Sequence, residues 1–171
     1  TTTNTITMER APDLGMDDGG KFYVYNLLEE LTQAGEYYLD RGTGILYYWP
    51  DGDINTQDLQ VSMLEAPAVT MTGVDHVTFD GLEISATRDQ LFTVDATSSN
   101  ITLQNSKLLN AGNSAVHMDG SAFKILNSEI GYSGDSGVRL NGGGDEASIT
   151  LSGHVIDNSE FHHFGRWTYS Y

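Results

Sequence analysis

The 171-residue chain contains no cysteine, so neither a disulfide nor a thiolate is available to it. That absence does not fix a compartment. Basic residues are scarce: 8 Lys and Arg stand against 24 Asp and Glu, a formal net charge of −16. A nucleic-acid partner is excluded on this balance, because phosphate affinity is built from Lys and Arg. Long apolar runs are missing too. None could cross a bilayer as a helix, so no membrane partner is expected, and the first residues do not read as a signal peptide. Proline is reduced to 3 residues while glycine reaches 19, which suits many short strands joined by tight turns.

What is present is a phrase that recurs four times. It reads Val77-Thr-Phe-Asp-Gly-Leu-Glu-Ile84, Ile101-Thr-Leu-Gln-Asn-Ser-Lys-Leu108, Phe123-Lys-Ile-Leu-Asn-Ser-Glu-Ile130 and His154-Val-Ile-Asp-Asn-Ser-Glu-Phe161. Apolar residues hold the first, third and eighth places, except at His154. Gly81, Asn105, Asn127 and Asn158 hold the fifth, at spacings of 24, 22 and 31 residues. Strand-like alternation inside a unit of this length predicts a solenoid, in which one coil buries its apolar face only by stacking on the next. The expected fold is all-β: a right-handed parallel β-helix of about four coils over residues 65–171, preceded by a hairpin-containing region over residues 1–64. Three inward columns follow, one of them Phe79, Leu103, Ile125 and Ile156. Asn105, Asn127 and Asn158 fall at a bend, where their amides can form a ladder and the left-handed backbone is tolerated.

Ahead of the coils, Phe22-Tyr-Val-Tyr25 reads as a strand and Asn26-Leu-Leu-Glu29 as a capping box opening one helical turn. Glu36–Asp40 and Ile45–Trp49 read as a hairpin across Arg41-Gly-Thr-Gly44. The chain starts on Thr1-Thr-Thr-Asn-Thr-Ile-Thr7, as if a strand were under way. It stops at Gly165–Tyr171, where a fifth coil is due. Both ends read as cut, and the expectation is a segment of a longer protein or a coil end that something else covers.

The stretches Phe22–Leu31, Gly35–Arg41 and Gly44–Pro50, with Asn158-Ser-Glu-Phe-His-His-Phe-Gly-Arg166, resemble a family of large secreted bacterial parallel β-helix proteins. The resemblance covers nearly the whole chain and is specific for architecture rather than chemistry. It implies a carbohydrate-active protein in an extracellular or periplasmic setting, of the glycoside hydrolase or polysaccharide lyase type. It also implies that catalytic acids can lie in later coils.

A second alignment locates a candidate face. Phe92-Thr-Val-Asp95, Val116-His-Met-Asp119 and Val138-Arg-Leu-Asn141 keep offsets of 24 and 22. By the two-residue period Thr93, His117 and Arg139 stack outward in one column. Asp95, Asp119 and Asn141 form the next. His117, Asp119 and Arg139 are the candidate catalytic residues: a neutral-pH base or acid, a carboxylate and a fixed cation. Thr93, Asp95, Tyr132, Asp135, Asn141, Asp145 and Glu146 are candidate substrate-binding residues, the last two on the insertion Gly142–Gly153. In a lyase, His117 or Tyr132 would remove a proton and Arg139 would stabilise the anion. In a hydrolase, Asp119 would pair with Asp135 or Asp145. The negative charge repels a polyuronate and favours hydrolysis of a neutral or lightly charged glycan. No cofactor is required, and calcium is the one metal the acidic turns leave open. His154 takes an inward slot and is expected to be a packed, hydrogen-bonded core residue. His162 and His163 alternate about a strand end, which disfavours their sharing a metal. The rival functions are a non-catalytic glycan-binding β-helix and a structural one that self-associates through open coil ends.

Overall fold

The computed structural model of the chain describes residues 24–144 and 147–167, together with Thr7, Gly15, Asp18 and Gly19. Phe22 and Tyr23 of the expected strand at Phe22–Tyr25, and Asp145 and Glu146 of the insertion, lie outside the described residues. The chain divides into two units, Thr1–Asp58 and Leu59–Tyr171.

In the first unit, β1 (Tyr37–Asp40) and β2 (Ile45–Tyr48) pair antiparallel, with Tyr37 opposite Tyr48 and Asp40 opposite Ile45, as the sequence predicts. Asp40 closes the turn: its carboxylate accepts from the Gly42 N–H at 2.8 Å and the Thr43 hydroxyl at 2.7 Å. The expected capping box is not formed. The short 3-10 turn Leu28–Glu30 has Leu27 at its N-cap and no side-chain cap. Asn26 instead brackets β1, accepting from the Leu39 N–H at 2.8 Å and donating to the Leu39 carbonyl at 3.0 Å. An amide that satisfies two strand groups is no longer free to cap, which is why the local pattern misleads.

The second unit is a parallel β-helix. Its strands are β3 (Val69–Met71), β4 (Thr78–Asp80), β5 (Glu83–Thr87), β6 (Phe92–Val94), β7 (Thr102–Gln104), β8 (Lys107–Ala111), β9 (Val116–Asp119), β10 (Lys124–Leu126), β11 (Glu129–Gly131), β12 (Val138–Asn141), β13 (Val155–Asp157) and β14 (Glu160–His162). They form three four-stranded sheets, ordered β12-β9-β6-β3, β13-β10-β7-β4 and β14-β11-β8-β5. Each rung gives one strand to each sheet, so three turns carry the chain from the first rung to the last. The registers match the phrase alignment: Phe79, Leu103, Ile125 and Ile156 face one another in succession, as do Ile84, Leu108, Ile130 and Phe161.

The core lies inside the coil. Phe92, Ile101, Leu103, Leu108, Phe123, Ile125 and Ile130 are fully buried. Each such side chain contributes roughly 1.5–3 kcal/mol relative to exposure. Phe79 and Phe92 tie two sheets together edge to face, with centroids 5.1 Å apart.

Left-handed residues recur in three columns along the rungs: two at the bends flanking the middle strand, and one at a kink within or just after the third strand. At the middle bend these are Gly81, Asn105, Asn127 and Asn158, with φ of 70°, 51°, 49° and 45°. Five residues earlier stand His76, Asn100, Ala122 and Gly153, and five residues later Ala86, Asn110, Tyr132 and His163, all between 50° and 72°. Only the middle column repeats a residue type that favours this backbone, so it alone is readable in the sequence. Along it Asn158 donates to the Asn127 amide oxygen at 2.8 Å, and Asn105 donates to Asp80 at 2.7 Å.

A second ladder runs beside it. Ser106, Ser128 and Ser159 each accept from the backbone N–H one rung below: Leu82 at 3.1 Å, Ser106 at 3.2 Å and Ser128 at 3.2 Å. Each hydroxyl donates to the carbonyl two residues before it. The serines satisfy N–H groups that the bend takes away from the strand ladder.

Candidate functional site

The outer face of the β12-β9-β6-β3 sheet carries the predicted columns. Thr93 pairs with His117 and His117 with Arg139, while Asp119 faces Asn141. Val116 and Met118 point into the core and are fully buried, which forces His117 and Asp119 outward. Gly120 and Gly142 follow the two columns because a Cβ there would meet the carbonyl of the rung below: Ser98 at 2.3 Å for Gly120 and Gly120 at 1.6 Å for Gly142.

His117, Asp119 and Asn141 form one hydrogen-bonded group. Asn141 Nδ2 donates to Asp119 Oδ1 at 2.8 Å and lies 3.3 Å from His117 Nε2. His117 Nε2 is 3.4 Å from Asp119 Oδ1. One amide can serve both neighbours, since it has two protons. If His117 is protonated, its Nε2–H can turn to the carboxylate instead. The group therefore holds a carboxylate, an imidazole and an amide within contact on two adjacent rungs.

Arg139 is not directed at this group. Its guanidinium meets Asp135 at 3.5 Å, and Asp135 also accepts from Ser114 Oγ at 3.3 Å. Asp95 is taken up by its own turn: it accepts from the Gly73 and Thr97 N–H groups, the Thr97 hydroxyl and the Ser98 hydroxyl. The Ser98 bond is the largest cause holding its carboxyl below the ordinary range. The Thr93 hydroxyl is buried and has no partner among the described residues. Tyr132 belongs to the bend after β11 and makes its contacts with His162, His163 and Arg166.

Two features escaped the sequence. An open groove follows the middle bend, lined by Asn105, Asn127 and Asn158 on one side and Lys107, Glu129 and Glu160 on the other. Lys107 Nζ and Glu129 Oε2 are 2.8 Å apart; that bond raises the lysine pKa and is the largest cause lowering that of Glu129, followed by His162. The register Lys107–Glu129–Glu160 was the available signal, at the seventh place of each phrase. The second feature is the setting of His162, a residue the sequence singles out without its partners: it faces Gly131 in the rung below. A Cβ at Gly131 would lie 2.4 Å from the His162 ring, so the glycine makes room for it.

His154 is packed and hydrogen-bonded as the sequence suggests, but it is half-buried at the edge of the stack rather than in the core. It stacks on Phe123 at 5.1 Å and 9°, and its Nδ1 accepts from the Phe123 N–H at 3.3 Å. Among the described residues no group of three His, Asp or Glu could hold a metal, and no helix is long and apolar enough to cross a membrane. Comparison with family models, with curated proteins and with solved structures gives no match.

Proposed function

We propose that the chain is a glycan-binding segment of a carbohydrate-active β-helix protein, acting by hydrolysis rather than elimination. One observation carries this reading: His117, Asp119 and Asn141 form a hydrogen-bonded group on an outer sheet face, where a straight ladder of strands can receive an extended chain. Asp119 is the carboxyl best placed to work as acid or base, with His117 and Asn141 fixing its orientation. Asp135, tied to Arg139, is the second carboxyl this reading offers; it precedes β12, whereas Asp119 faces the last residue of that strand. Elimination is the weaker choice, because it asks for a cation beside the base, and Arg139 is engaged by Asp135.

The test is a panel of neutral and acidic glycans, read both for new reducing ends and for the absorbance of unsaturated uronates. Hydrolysis predicts reducing ends without that absorbance. Asp119→Asn should lower turnover by about 10²–10⁴-fold, the range of a lost general acid or base. Full activity in both Asp119→Asn and His117→Ala would remove this face as the site.

A second reading is a non-catalytic glycan-binding β-helix. It is favoured by the way the polar groups of this face bond to one another along the rungs. It predicts saturable binding with no product of either kind.

A further inference from the structure

The bend after β14 holds a cluster that the sheet face does not use. His162 Nε2 lies 3.3 Å from Glu129 Oε1, and His162 Nδ1 lies 2.8 Å from His163 Nδ1. His163 stacks on Tyr132, with centroids 4.8 Å apart and ring planes at 18°. The Arg166 guanidinium stands 5.9 Å from the centroid of the Tyr132 ring. The backbone sets the geometry: Tyr132 and His163 occupy the same left-handed column on successive rungs, with φ of 55° and 50°.

With both imidazoles neutral, proton bookkeeping gives this chain of bonds one direction. Glu129 is an ionised carboxylate, held so by Lys107 Nζ at 2.8 Å, and it can only accept. His162 Nε2 must therefore carry the proton. A neutral His162 then has a bare Nδ1, which can only accept. His163 Nδ1 must donate to it, and a neutral His163 is left with a bare Nε2. That nitrogen has no partner among the described residues, and His163 is exposed.

We infer that Glu129, His162 and His163 form a relay that presents His163 Nε2 as an acceptor at a second binding site, whose ligand is a hydroxyl-bearing sugar ring resting beside Tyr132. The carboxylate at one end makes the imidazole at the other a better acceptor, as a buried acid does for a histidine in a catalytic triad. Tyr132 is more than a third exposed, and with its face stacked on His163 its rim offers apolar contact to a ring bound at His163 Nε2. Glu129 also lines the groove of the middle bend, so an extended ligand lying there reaches this site. The ligand class rests on the glycan reading above; the relay does not.

Long-range proton–nitrogen NMR of the imidazoles in the full chain tests both parts. The relay predicts the Nε2–H form for His162 and the Nδ1–H form for His163 at neutral pH. The reverse pair of tautomers, or a doubly protonated His162, would overturn it, with no variant needed. Titration with maltohexaose, cellohexaose and xylohexaose then reports the ligand. Shifts at His163 and Tyr132, with affinity reduced up to about tenfold in His163→Ala, support the second site. Shifts confined to His117, Asp119 and Asn141 would overturn the second site and leave the sheet face standing. No shift at either place would overturn both.

Discussion

Asn127 does two jobs at once. It takes a left-handed backbone with φ of 49° and accepts the Asn158 amide at 2.8 Å. Asn127→Ala should cost about 1–2 kcal/mol for the backbone alone, with roughly 1 kcal/mol more for the lost bond. Asn127→Gly should lose only the second part, and urea unfolding of the two variants separates them. Ala122 offers the converse. Its φ of 56° strains any side chain, and its counterpart one rung on is Gly153. Ala122→Gly should be neutral or stabilising, whereas a glycine in an ordinary strand costs roughly 0.5–1 kcal/mol. Ser128 is buried, and its hydroxyl accepts from the Ser106 N–H at 3.2 Å. Ser128→Ala should cost about 1–3 kcal/mol, the penalty of an orphaned buried donor.

Among the elements, the strands were legible and the bends mostly were not. The alternation of Phe79, Leu103 and Ile125 follows from a two-residue period, which any half-buried strand must show. The repeated Asn marked the middle bend. The other two left-handed columns carry His76, Asn100, Ala122 and Gly153 or Ala86, Asn110, Tyr132 and His163, which share a backbone but no chemistry. A column defined by φ alone leaves no trace in residue type. For the same reason the pairing of Tyr132 with His163 was hidden, although both lie in the correct register. The group at His117 was readable because its members sit on strands, where offsets of 24 and 22 give neighbours directly. The direction of Arg139 was not, because a long side chain has several partners within reach. Glycines at the rung contacts act at this scale too. A Cβ at Gly112 would stand 2.3 Å from the Arg88 carbonyl oxygen, a backbone atom that moves only with its rung. Gly81 has nothing within 4 Å of such an atom and a φ of 70°. Gly112→Ala should therefore lower the unfolding midpoint by pushing rungs apart, at about 1–3 kcal/mol. Gly81→Ala should cost only the backbone strain, about 1–2 kcal/mol. The rung contact is also the one expected to slow refolding, since it disturbs stacking rather than a single turn.

For the whole molecule, the acidic balance shapes its response to pH. Several carboxylates bridge rungs or turns. Asp75 accepts from the Ser99 hydroxyl at 2.7 Å and from the Asn100 amide at 2.8 Å, and these bonds bring its pKa down to about 2. Asp80, Asp95 and Glu129 are lowered as well, by bonds from Asn105, Ser98 and Lys107 in turn. A lowered carboxyl adds stability that is fully present above its unfolded value and is lost as pH falls through the folded one. For Asp75 that window runs from 3.8 down to about 2. The melting temperature should fall steeply across it, and less steeply in Asp75→Asn, as calorimetry at a series of pH values would record.

The winding itself is open to a direct check, because the chain has no cysteine to interfere. Thr102 and Lys124 face one another on adjacent rungs, and Val155 lies one rung further on in the same column. Neighbouring strands stand about 4.8 Å apart, within the span a disulfide bridges. Thr102→Cys with Lys124→Cys should oxidise to a single intramolecular disulfide, seen by mass spectrometry and by mobility on a non-reducing gel. Thr102→Cys with Val155→Cys should not. A bridge in the second pair but not the first, or in neither, would contradict the stacked rungs on which the sheet-face site and the relay both depend.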